Sequence, residues 1–186
     1  MISQASAVFI SNSEPAYFAA CPRHSRSRAQ KIVDQLELGI FVPEKVVSLE
    51  DALCPDDKLA IGAYDRGLYF SFPDAMYGCI EDLDHPLVKK LLRQYNRAHC
   101  LFIELNRSRH YFALALLRRG KLERRLAGDL ARDIFIDEGK KQPEEKMERA
   151  TELYGYGENL VSAMMASFIG PPNKRILTKL QVEIFE

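Results

Sequence analysis

Apolar and polar residues change period several times along the chain, and each change marks an element. Ser6 to Ser11 is a β-favouring run and predicts a first strand. After a polar stretch, Ala29, Ile32, Val33 and Leu36 recur at spacings of three and four, the helical period. Ser25 or Ser27 is placed to cap that helix and Gly39 to stop it. A short strand is expected around Val46-Val47, within an acidic segment interrupted by Pro43 and Pro55. Lys58 to Tyr64 and Gly67 to Phe72 then read as a hairpin around Asp65-Arg66-Gly67, with Gly67 available for positive φ. Asp84, with Pro86 in the first turn, opens a second helix whose apolar face is Leu87, Val88, Leu91, Leu92 and Tyr95.

The middle of the chain has the clearest pattern. Cys100 to Leu105 and Tyr111 to Leu117 are nearly continuous apolar runs, as expected of strands buried on both faces. The turn at Arg118-Arg119-Gly120-Lys121 leads into a more polar strand, Leu122 to Ala127, expected nearer the sheet edge or solvent. The charged stretch from Asp129 to Glu148 is read as a loop entering a short helical turn. A third helix carries Tyr156, Leu160, Val161, Met164, Met165 and Phe168 on one side, and Gly170-Pro171-Pro172 ends it. Leu180, Val182 and Ile184 alternate with Gln181 and Glu183 and predict a last strand. The expected fold is α+β, one domain over residues 1–186. Its mostly antiparallel sheet combines a central meander (about 98–127) with a hairpin (about 58–72), under about three packed helices.

Composition narrows the class without choosing a chemistry. At 47% hydrophobic and 28% charged the chain has a globular balance, which excludes a disordered, collagenous, coiled-coil or disulfide-framework protein. Twenty-six basic side chains cancel 26 acidic ones, so the bulk basic excess of a nucleic-acid or anionic-membrane binder is missing. With no signal sequence and no apolar run long enough to span a bilayer, a cytoplasmic protein without membrane contact is expected. Cys21, Cys54, Cys79 and Cys100 include no CxxC pair and are expected to be reduced, mostly core thiols, with the reactivity of each left open.

Catalytic patterns fail one by one. The intervals from Cys21 to Arg28 or Arg26, and from Cys100 to Arg107, miss the register of a cysteine-phosphatase loop. His24, His85, His99 and His110 fall in separate elements, so no metal site is predicted, although His99 and His110 could face each other across the central hairpin. There is no GxSxG elbow, and Gly155-Tyr156-Gly157 lacks the third glycine of a nucleotide fingerprint. The acid pairs Asp137-Glu138 and Glu144-Glu145 specify no acid–base work. Charge is nevertheless uneven. Arg23, Arg26, Arg28 and Lys31 lie together before any acid of that segment. The meander turns gather Arg107, Arg109, His110, Arg118, Arg119 and Lys121, the candidate binding residues, and Arg124 and Arg125 follow them. The simplest account of these cations is a basic edge facing the acid-rich stretch from Glu44 to Asp84, or simply solvated turns.

Several short strings run in a familiar order: Ser48-Leu49-Glu50-Asp51-Ala52-Leu53-Cys54-Pro55, Ala60-Ile61-Gly62-Ala63, the Arg119-Gly120-Lys121 turn, and Asp137-Glu138-Gly139 with Glu144-Glu145. In this order the chain resembles uncharacterised bacterial domains of unknown function. The resemblance implies a bacterial or phage-related cytosolic protein and transfers no catalytic residue. The function expected from the sequence is therefore a non-catalytic binding or regulatory module, of an immunity-like kind, without a cofactor. Its partner would be a protein or a small molecule, and it would act alone or as a homodimer. The alternatives are an enzyme with a dispersed site at His99, Cys100, Arg107, Arg109 and His110, and RNA or phosphate binding through the basic turns; nucleic acid is the less expected partner.

Overall fold

The computed structural model describes residues 4–13, 16–53, 58–146, 153–170 and 174–186. Nine strands form one antiparallel sheet: β1 (Gln4–Ser11), β2 (Pro43–Ser48), β3 (Leu59–Ala63), β4 (Gly67–Ser71), β5 (His99–Asn106), β6 (Tyr111–Arg118), β7 (Lys121–Asp129), β8 (Asp133–Gly139) and β9 (Gln181–Phe185). Their order across the sheet is β2-β9-β3-β4-β1-β5-β6-β7-β8. The helices are α1 (Arg26–Leu36), α2 (Leu49–Ala52), α3 (Pro73–Met76), α4 (Pro86–Gln94), α5 (Leu153–Ile169) and α6 (Lys174–Lys179). The α+β architecture with a mostly antiparallel sheet is the one the periodicity predicts, and three helices reach nine residues or more.

Helices cover both faces, which explains the continuous apolar runs. Along β5, Leu101, Ile103 and Leu105 point into the core with α5, while Cys100 and Phe102 point into the core with α1 and α4. A strand sandwiched in this way turns apolar residues to both faces, and Glu104 is the acid buried within its run. Gly157 lets α5 approach β6 closely, because a Cβ there would lie 2.2 Å from the Phe112 ring. Within the Gly155-Tyr156-Gly157 string, Gly157 thus serves packing. No helix among the described residues is long and apolar enough to cross a membrane.

Four local expectations differ from the structure. The segment 129–148 is not all loop, since Asp133–Gly139 forms β8, the outermost strand beyond β7. Its acids are stabilised there by cross-strand arginines. Helix α4 is capped by His85, whose Nδ1 accepts from the Leu87 N–H at 3.3 Å, whereas Asp84 pairs with Lys89. Helix α1 ends in a left-handed Glu37 (φ 54°) two residues before Gly39. Gly67 has no positive φ; its hydrogen is needed for space, because a Cβ would lie 2.8 Å from the Tyr17 ring. Cys54, Pro55 and Pro171-Pro172 lie outside the described residues. Of the described cysteines, Cys79 and Cys100 are buried, and burial pushes both thiols up to about 12, while Cys21 is half-buried.

Candidate functional site

The central meander does not gather the candidate binding residues. Arg107, Arg109 and His110 sit in the β5–β6 turn, and Arg118, Arg119 and Lys121 in the β6–β7 turn. The eight residues of β6 separate the two turns, roughly 24 Å at the strand rise. Arg109 stacks over the Tyr77 ring at 4.8 Å, and Arg118 pairs with Glu123 at 3.0 Å. The same register keeps His99 and Cys100 at one end of β5 and His110 at the other, so the two histidines do not face each other. Cys100 has no exposed surface.

The counter-charges of β7 come mainly from the next elements rather than from Glu44–Asp84. Arg124, 1% exposed, pairs with Asp137 and, through two parallel bonds of 2.8 and 2.7 Å, with Glu145. Arg125 holds Glu138. Among the described residues, Glu81 joins from the acid-rich stretch, paired with Arg132 of the β7–β8 turn.

A basic site forms instead where the chain enters α1. Residues 21–25 pass over the end of β3 and are tied to it twice. The Ser25 N–H donates to the Ala63 carbonyl at 2.8 Å, and the Ala63 N–H donates to His24 Nδ1 at 3.2 Å. An Nδ1 that accepts leaves the ring proton on Nε2, which lies 3.3 Å from Glu183 Oε2. Glu183 projects from β9, beside β3 in the sheet, and its side chain is 1% exposed. Burial lowers the His24 pKa, against the smaller opposing pull of Glu183. The imidazole is therefore a neutral strut between loop, β3 and β9, with both nitrogens engaged.

Glu183 also fixes the neighbouring guanidinium. Arg26 Nε lies 3.3 Å from Glu183 Oε1, while 70% of the Arg26 side chain stays exposed. Arg23 and Arg28 flank it, and neither has an ion pair among the described residues. Helix α1 has no acid in its first turn, and the Ser25 side chain makes no cap bond. The first amides of α1 thus add partial positive charge to that of the guanidinium groups. These groups line a cleft of about 1040 Å³, closed on other sides by Tyr17, Val46, Asp65 and Gln181. Tyr17 donates to Asp65, and that bond holds the carboxyl below its ordinary pKa.

A second cleft of about 910 Å³ lies beside Arg118, Lys140, Lys141 and Lys146, but the carboxylates Glu123 and Glu145 are interleaved with its cations. Among the described residues no group of three or more His, Cys, Asp and Glu side chains is placed to hold a metal ion.

Sequence reasoning missed Glu183 because its alternation with Val182 and Ile184 marks a solvent face. In the sheet that face is covered by the segment entering α1, whose His24 and Arg26 lie against the Glu183 carboxylate. The arginines were visible as a run without acids, but nothing in the sequence shows that β9 brings a carboxylate to support them. No curated protein and no solved structure matches the chain significantly. A family model matches residues 4–150, ending before α5 and before the β9 strand that carries Glu183. The chain therefore belongs to the family of unknown function DUF6928.

Proposed function

We propose that this protein is a binding module for a small anionic ligand, a phosphate-bearing molecule, held in the cleft at the start of α1. The observation that carries the reading is the set of three guanidinium groups, Arg23, Arg26 and Arg28, around one cleft, two of them without ion pairs among the described residues. Arginine presents paired donors that match phosphate oxygens. The cleft, open and about 1040 Å³, has room for a small molecule. Binding is favoured over turnover because His24, the imidazole lining the cleft, has both nitrogens occupied by Ala63 and Glu183.

Inorganic phosphate is the simplest probe. At about a hundred times its Kd it should stabilise the protein by about 2.7 kcal/mol, a rise in Tm of roughly 5–10 °C. Equal ionic strength of chloride should not do so. The R23Q/R28Q variant, altered at two exposed positions, should fold normally and lose the shift. An equal shift in that variant, or none in the wild type, would contradict the reading.

A further inference from the structure

The anion cleft does not end at Arg28. A second lobe of about 230 Å³ adjoins it, for Arg28 and Asp65 line both. Its wall is one stripe of α1, Arg28, Lys31, Ile32 and Gln35, spaced three, four and seven residues from the first. Tyr95, at the end of α4, and Asn12 also line it. Gln35 accepts a hydrogen bond from Gln94 through Oε1, which leaves its amide N–H groups free to donate. The lobe therefore offers an aliphatic and an aromatic surface together with carboxamide groups.

Between the two lobes stands a carboxylate. Asp65 would repel a second phosphate, so a chain of phosphates running through both lobes is disfavoured. The same carboxylate accepts hydrogen bonds from neutral hydroxyls. From this arrangement we infer that the ligand is a phosphate monoester of a nucleoside type. Its phosphate lies among Arg23, Arg26 and Arg28, its sugar hydroxyls face Asp65, and its flat ring lies in the second lobe against Ile32 and Tyr95. This rests on the anion-binding reading above and adds the class of molecule.

Calorimetric titration with inorganic phosphate, tripolyphosphate, ribose 5-phosphate and the four common nucleoside 5′-monophosphates tests it. At least one monophosphate should bind about tenfold or more tighter than inorganic phosphate, a gain of about 1.4 kcal/mol. D65N, which retains an oxygen to accept from Tyr17, should remove most of that gain while leaving inorganic phosphate bound at least as well. Q35A should weaken the monophosphate and not the phosphate. Phosphate binding with no gain for any monophosphate, or tighter binding of tripolyphosphate, would overturn the nucleoside assignment and leave the anion site standing. Failure of every probe would overturn both.

Discussion

Replacing Arg124 by methionine should cost about 3–5 kcal/mol of folding stability, the largest single effect expected on this chain. The reason is the carboxylate left behind rather than the guanidinium removed. Glu145, 6% exposed, has Arg124 and the Gln142 N–H as its partners. Without the arginine a charge stays buried with one neutral donor. Asp137, at 47% exposed, returns to water at little cost. Urea unfolding reads the difference directly. The double variant R124M/E145Q should recover most of the loss, because the amide oxygen still accepts from Gln142 and no charge remains buried. An R124M midpoint equal to that of the wild type would contradict this account of how β7, β8 and the 143–146 turn are held.

The second large effect concerns pH. Glu104 lies on β5, is 3% exposed, and among the described residues accepts one hydrogen bond, of 3.3 Å from the Gly78 N–H. Burial raises its pKa to about 7; the Gly78 N–H and the Arg109 charge oppose the rise, and the Glu81 charge adds to it. The sign follows from linkage. Below the unfolded pKa near 4.5 both states carry the proton and nothing is lost. Between that value and about 7 the unfolded chain ionises and the folded one does not, so stability falls as pH rises. Above about 7 the full penalty, up to about 3 kcal/mol, is present. E104Q should therefore match the wild type near the acid end and exceed it by that amount at pH 8. His24 acts in the opposite sense, since its lowered pKa costs stability as pH falls below the ordinary histidine value. It is common to both proteins and cancels in the comparison. A difference between wild type and E104Q that does not change with pH would show that Glu104 is ionised without cost.

The elements readable in the sequence are those whose apolar residues repeat over more than one turn or strand length. Helices α1, α4 and α5, the β3–β4 hairpin and the β5–β6–β7 meander all belong to this group. Strand β8 was not readable, because Asp133, Asp137 and Glu138 are poor strand residues in isolation. The arginines that stabilise Asp137 and Glu138 come from β7 and are visible only once the strands pair. The cleft was half readable. Arg23, Arg26 and Arg28 stand out as a run, but the more numerous cations of the meander turns stood out more. Topology decides between them: β6 holds the two turns apart, whereas insertion of β9 beside β3 brings Glu183 under His24 and Arg26. Glu104 was hidden for a different reason from Glu183, whose alternating strand marks a solvent face. One acid inside an apolar strand gives no sign of the face it will occupy.

The most direct measurement is a titration of the ¹⁵N-labelled protein with inorganic phosphate, followed residue by residue in amide spectra. The account predicts saturable shifts largest at Arg26, Ser27 and Arg28, whose N–H groups open α1, with smaller ones at His24 and Asp65. Saturable shifts centred on Arg107–His110, on Arg118–Lys121 or on Lys140–Lys146 would place the anion elsewhere, and the absence of any saturable shift would contradict an anion site altogether.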